Sequence, residues 1–406
     1  MNKMIDEKLK KLLSKKINEI VNEIEIEDIN NFRFGLLDGK VGLSLFNFYL
    51  YRFYNKNQYN EKATEFLLDT FEIINSNLNS CSFCSGAGGF CWALEHLIQN
   101  NFIERDDVEE VLTQLDSILY QKMIKDIDQG FFDYLHGATG IGYYFLKRSK
   151  YLNNCKDYIY DLIEKLYEKS ICEKDGSIKW EGIFGAEEKK GYNFSLSHGM
   201  ASIIVLLSKT LIMGINENKS RILLEGSIKY ILKYRNKSSL NSIFPSYICE
   251  EEQSSMFNSR LAWCYGDLGI AFALYHGSIA LNDSRIEKIS INVFLHASNR
   301  KDLKKEHIDD AGLCHGTAGI AHIYNRMYRN TGINEFKDTA KFWFNETLKM
   351  AKFKDGKAGY QTWHSEKNGG PKNEYGILEG IAGIGLALHS WVTQTEPTWD
   401  ECLLLS

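Results

Sequence analysis

Apolar residues recur three and four positions apart along most of this chain, the spacing of amphipathic helices. Ile5, Leu9, Leu12 and Leu13 predict a helix within residues 1–30. The same period predicts helices over Ala63 to Ile74, Val108 to Met123, Tyr158 to Lys169, Arg221 to Lys233 and Phe336 to Lys352. Between these segments a different signal recurs: a Gly-x-x-Gly unit that leads into a run apolar on every side. Its copies are Gly39–Gly42, Gly86–Gly89, Gly137–Gly140, Gly199–Ser202, Gly266–Gly269, Gly316–Gly319 and Gly380–Gly383, the fourth with serine at its end.

The leading glycines are about 47 to 67 residues apart. Each interval holds two helices and their loops, which indicates a repeat architecture. Small residues three apart share one face of a helix and let its start lie close to neighbouring chain. Seven units with one small-residue seam close more naturally into a ring than into an open solenoid. The expected fold is therefore all-α: an α/α toroid of about seven inner and seven outer helices, a single domain over residues 1–406, with the inner helices beginning around one central mouth. Two intervals exceed what two helices need. Residues 173–196 carry a turn signal and alternating residues, and residues 353–377 contain Gly369-Gly370-Pro371. Both are expected as loops or hairpins at the mouth.

The residues ahead of the glycines carry the chemistry. Directly before them stand Asp38, Ser85, His136, His198, Tyr265, His315 and Glu379, and one position further back Leu37, Cys84, Leu135, Ser197, Cys264, Cys314 and Leu378. Cys264, Cys314 and His315 fall together in adjacent repeats. Two thiolates and an imidazole with an open fourth position match a catalytic zinc, one per chain. The bland alternative is that both cysteines are small buried apolar residues. Cys84 shares the register and makes a Cys-x-x-Cys pair with Cys81, but no second ligand pair accompanies them, so thiols outside any metal site are expected. His198 shares the register of His315 and suits proton transfer near neutral pH. Asp133 and Arg260 each stand four residues ahead of a register position, and either could be an ordinary paired charge.

Composition narrows the partners. The chain has 406 residues, 44% of them hydrophobic and 25% charged, with a net charge of -5 and 3 prolines. Those values fit a large folded core and give no basic footprint for nucleic acid. No apolar run reaches membrane-spanning length and no signal-peptide core opens the chain. The 9 scattered cysteines read as reduced thiols, hence a cytoplasmic setting.

Taken together, Ser197-His198-Gly199, Trp263-Cys264-Tyr265-Gly266, Cys314-His315-Gly316 and Glu379-Gly380 resemble the LanC family of lanthionine cyclases, in family order and over most of the chain. The resemblance implies an α/α toroid with one zinc held by Cys264, Cys314 and His315, and active-site roles for His198, Asp133, Arg260 and Tyr265. It implies a free-standing cyclase whose substrate is a dehydrated precursor peptide. A dehydratase and a transporter would be partners in a maturation complex, peripheral to the inner face of the cell membrane. His136, Cys84 and Ser202 depart from the pattern, and a small extra domain known in some members is not located. Two other readings are a LanC-like adaptor that binds zinc or glutathione without turnover, and a toroidal glycan-processing enzyme. The second calls for paired carboxylates, whereas Asp38, Asp133 and Glu379 are scattered.

Overall fold

A computed structural model describes residues 2–76, 78–184, 189–236, 241–249, 258–393 and 395–406. In chain order its helices are α1 (Asn2–Ile26), α2 (Lys40–Tyr54), α3 (Asn57–Ser76), α4 (Ala87–Gln99), α5 (Glu109–Asp128), α6 (Ala138–Arg148) and α7 (Asn154–Glu168). They continue with α8 (Met200–Ile212), α9 (Glu217–Lys233), α10 (Asp267–Leu281), α11 (Ser284–Ala297), α12 (Thr317–Thr331), α13 (Asn334–Met350) and α14 (Ile381–Thr393). Every even-numbered helix begins at the residue after a leading glycine. These helices are buried almost all round; in α8, Ile203 to Leu207 are no more than 1% exposed. Each such side chain contributes about 1.5–3 kcal/mol by leaving water. The odd-numbered helices alternate buried and exposed positions, as their three-and-four spacing predicts.

The described residues form two compact units. One comprises 1–79, 84–86 and 301–406; the other comprises 80–83 and 87–300. In the first, α14 packs on α1, α2 and α12, while α3 covers α2 and α13 covers α12. In the second, α8 packs on α6 and α10, with α7, α9 and α11 laid over α6, α8 and α10.

The local geometry explains the repeated phrase. An α-helix leaves its first N–H groups without partners inside the helix. Here no side chain caps α2, α6, α8, α10 or α12. The chain instead loops back so that its own carbonyls cap the helix. Thr317 N–H donates to Asp310 O at 3.1 Å, Ala318 N–H to Ala311 O at 3.2 Å and Gly319 N–H to Gly312 O at 3.3 Å. The same loop closes at Lys40–Arg33, Ala87–Ser80, Ala138–Phe131 and Ile381–Glu374. This loop leaves no room at the second glycine: a Cβ on Gly319 would lie 2.1 Å from Leu313 O. The spacing thus serves each helix's own cap more than contact with a neighbouring helix. Gly266 has the further need of a positive φ, 101°.

A second set of backbone bonds joins phrase to phrase. In one unit Cys314 N–H donates to Leu378 O, Leu378 N–H to Leu37 O, and Leu37 N–H to Cys84 O, at 2.8, 2.8 and 2.9 Å. In the other, Leu135 N–H donates to Ser197 O at 3.3 Å and Leu196 N–H to Cys264 O at 3.0 Å. The register read from the sequence is therefore a physical belt within each unit.

The long intervals are loops with short strands. β1 (Ile171–Cys172) pairs antiparallel with β2 (Ile178–Lys179), and β3 (Gly182–Phe184) pairs with β4 (Lys189–Asn193), which also pairs with β5 (Tyr247–Ile248). Residues 185–188 of the expected 173–196 hairpin lie outside the described residues. In residues 353–377, Lys357 bridges to Tyr360 and Thr362 to Lys372. Among the described residues, no helix is long and apolar enough to cross a membrane.

Candidate metal centre and catalytic cleft

Cys314 and His315 occupy the turn immediately before α12. The turn is set by Asp310, which is buried at 2% exposure and whose Oδ1 accepts Gly312 N–H at 3.0 Å. The other oxygen, Oδ2, lies 3.1 Å from His315 Nε2 and accepts Trp363 N–H at 2.9 Å. Burial alone would raise the Asp310 pKa; His315 and the two backbone amides outweigh it and hold the carboxyl below its ordinary range. With Nε2 facing the Asp310 carboxylate, Nδ1 is the ring nitrogen left for a metal. Beside it, burial pushes the Glu379 carboxyl up.

Cys264 precedes α10 in the same register and is 5% exposed. Cys264 belongs to the unit that holds α10, and Cys314 and His315 to the unit that holds α12. Catalytic zinc takes three protein ligands and keeps its fourth position open, and these three residues match that number. The donor chemistry fits as well: two thiolates, one imidazole and a carboxylate behind the ring. The start of a helix also favours negative charge at both cysteine positions.

Three of the four remaining predicted residues, Asp133, His198 and Tyr265, line one cleft of about 200 Å³ with Phe132, Trp180 and Asn193, and Arg260 is not among its lining residues. His198 Nδ1 is 2.6 Å from Asp133 Oδ2. The turn that presents each is fixed from below. Asp133 Oδ1 accepts His136 N–H at 2.8 Å, and Ser195 Oγ accepts His198 N–H at 3.0 Å. The His198 ring stands 6.0 Å from Tyr265 on one side and 6.0 Å from His136, stacked, on the other. Burial pulls the His198 pKa down, but the Asp133 hydrogen bond and charge, helped by Cys264, carry it above 6.5. Burial pushes the Tyr265 phenol up against the opposing pull of Asn193 and Ser195, so it stays a neutral donor.

Arg260 is half-buried on the loop before α10, and its carbonyl oxygen would lie 2.3 Å from a Cβ on Gly266. Cys84 is buried, Cys81 is half-buried, and none of the 9 cysteines is in a disulfide.

Asp310 was missed by the sequence reading, yet a signal existed. It stands six residues before its glycine, as Arg260 and Asn193 do before theirs. At Asn193, too, the side-chain oxygen Oδ1 accepts the N–H two residues on, at 2.9 Å from Ser195.

Comparison with known proteins bears on the chain as a whole. The family model described as "Lanthionine synthetase C-like protein" matches residues 31–404. The chain is 24% identical over 433 aligned residues to the nisin biosynthesis protein NisC of Lactococcus lactis subsp. lactis, covering 98% of this chain and 96% of that protein. Among solved structures, nisin cyclase superposes with a TM-score of 0.75 at 20% identity, covering 99% of this chain and 98% of that one. That likeness shows the fold, the α/α toroid expected from the repeat.

Proposed function

From the premise that this chain belongs to the lanthionine synthetase C-like family, we propose that it is a zinc-dependent lanthipeptide cyclase. It would close thioether rings by adding a peptide cysteine thiolate to dehydroalanine or dehydrobutyrine. The observation that carries the reading is the His198–Asp133 pair in its cleft, together with a donor set of two cysteines and a histidine whose ring faces the buried Asp310 carboxylate. Likeness to a nisin biosynthesis protein and to a nisin cyclase supports the same class of reaction.

Zinc held by this donor set would supply acidification of the peptide thiol, with the two cysteine ligands keeping the sulfur electron-rich. The chain's own residues account for the rest. The thiolate sulfur forms a bond to the β-carbon of the dehydro residue, and the electron pair of the double bond moves toward the α-carbon and its carbonyl. The enolate that results takes one proton at the α-carbon. His198 is the donor: its Nδ1 is held by Asp133, so Nε2 is the nitrogen turned to substrate. Asp133 raises its pKa, which favours the protonated form. Asp133 fixes the tautomer and balances the imidazolium charge. Tyr265 supplies a neutral hydrogen-bond donor beside the ring, and Arg260 offsets enolate charge. The thiol loses one proton and the α-carbon gains one, so mass is unchanged. The substrate has to arrive already dehydrated, which places a reaction eliminating water from serine and threonine upstream.

The test is a dehydrated Ser/Thr/Cys-containing peptide incubated with the zinc-loaded chain, then treated with a thiol-alkylating reagent and weighed. The expected result is loss of alkylatable cysteine at constant peptide mass. Cys314→Ala should lose bound zinc and ring closure together. A variant that keeps stoichiometric zinc and normal ring formation would sink the ligand assignment. Zinc binding by the wild type with no ring closure on any dehydrated peptide would favour a binding protein over a cyclase.

A further inference from the structure

Six of the seven tryptophans are buried at 7% exposure or less, while Trp363 is 44% exposed. Its backbone is nonetheless among the best anchored in its loop. Thr362 exchanges two backbone hydrogen bonds with Lys372, at 2.8 and 3.0 Å, and its Oγ donates to Glu379 O at 2.7 Å. Thr362 is buried, and alternation along the extended chain then turns Trp363 outward. Trp363 N–H ends on Asp310 Oδ2, the same oxygen that faces His315 Nε2. One carboxylate oxygen therefore lies against the His315 ring at 3.1 Å and holds the backbone of an exposed indole by a 2.9 Å hydrogen bond.

We infer that Trp363 is a substrate-contact residue that reads dehydration: its indole face stacks on the flat, uncharged dehydro residue of the peptide, and Asp310 holds it in register with His315. The inference rests on the cyclase reading above. Dehydration converts a solvated hydroxyl side chain into a planar, conjugated vinyl group. Such a group gains from offset stacking on an indole, while serine and threonine prefer water. A rigid loop makes the contact inexpensive in entropy, because the indole is held before the peptide arrives.

The probe is a short synthetic peptide with one dehydroalanine and alanine in place of cysteine, so that no ring can close. Its twin carries serine for dehydroalanine. Titrated into the zinc-loaded chain, the first should perturb the emission of the exposed tryptophan and bind about three- to tenfold more tightly than the twin. Trp363→Ala should erase that preference and raise KM for a cysteine-containing substrate by a similar factor. Its kcat and zinc content should stay near wild type. Trp363→Tyr should recover part of the preference. Wild-type preference in Trp363→Ala, or the same emission change persisting in Trp363→Tyr, would overturn the contact. The two proposals fail separately. Unchanged KM in Trp363→Ala with normal ring closure removes the contact and leaves the cyclase. A dehydroalanine preference that depends on Trp363, in a chain that closes no ring, keeps the contact and removes the cyclase.

Discussion

Two histidine–aspartate pairs of almost equal length do opposite things in this chain. His198 and Asp133 are 2.6 Å apart, with 30% and 14% of their side chains exposed. His322 and Asp400 are 2.7 Å apart, with 1% and 0% exposed. Burial pulls both imidazoles toward the neutral form. At His198 the carboxylate wins and the pKa is raised. At His322 burial wins and it is lowered. The difference is first the complete burial of the His322 ring and then Arg326. Its Nε and Nη2 donate to both oxygens of Asp400, at 2.9 and 2.8 Å, so that charge is already neutralised. Ser390 Oγ, 3.1 Å from His322 Nδ1, completes what looks like a serine–histidine–aspartate series. Yet its hydroxyl donates to Ala387 O and is 1% exposed, out of reach of any substrate. The pair in the cleft is partly exposed and its imidazole is biased toward the charged form. The pair between α12 and the C-terminal 3-10 turn, Thr398–Leu403, ties the end of the chain to the fold. Contact distance alone does not separate the two pairs; burial and a third charge do.

Removing one member of each pair should therefore give non-overlapping defects. His198→Asn is expected to lower ring closure by about 10²–10⁴-fold, the usual worth of a general acid. Bound zinc should be unchanged, since none of the three donors is touched. Near-normal turnover by that variant would break the assignment. Asp400→Ala should instead cost about 3–5 kcal/mol in urea unfolding, because Arg326 and His322 would be left buried without their counter-charge. Its turnover per folded molecule should match wild type. An Asp400→Ala chain that is fully stable would show that the network contributes little.

The contrast also marks what could be read in advance. The glycine register located the start of every buried helix, because a backbone cap is a local demand and local demands leave their mark on neighbouring residues. The same register singled out His198, Cys264, Cys314 and His315. Asp310 and Trp363 escaped it because they meet through a loop returning from 53 residues away. Their sequence neighbours give no sign of that contact. His322, Arg326 and Asp400 escaped for another reason. His322 and Arg326 sit four apart on α12, a spacing that reads as an ordinary polar face. Only the packing of the last residues of the chain over that face makes it buried. Asp133 was legible as a candidate, but its choice between a stray charge and a partner of His198 waited on a 2.6 Å contact.

The smallest effect tests the comparison most directly, because the two pairs should tilt stability with pH in opposite directions. Where a raised histidine binds its proton more tightly in the fold than in the unfolded chain, its stabilisation is fully present below the unfolded pKa of 6.5. That stabilisation is lost as pH rises through the folded value. His322 behaves in reverse. Its neutral form is the one the fold prefers, so its contribution is present above 6.5. It is lost as pH falls and the unfolded chain takes up a proton that the folded chain refuses. Urea unfolding of the chelated protein between about pH 5 and 8 spans both transitions. The stability of wild type minus His198→Asn should fall as pH rises, and that of wild type minus His322→Asn should climb. Chelation keeps bound metal out of both differences. Parallel slopes would mean that burial and Arg326 do not outweigh Asp400 at His322, and that the two pairs are chemically alike after all.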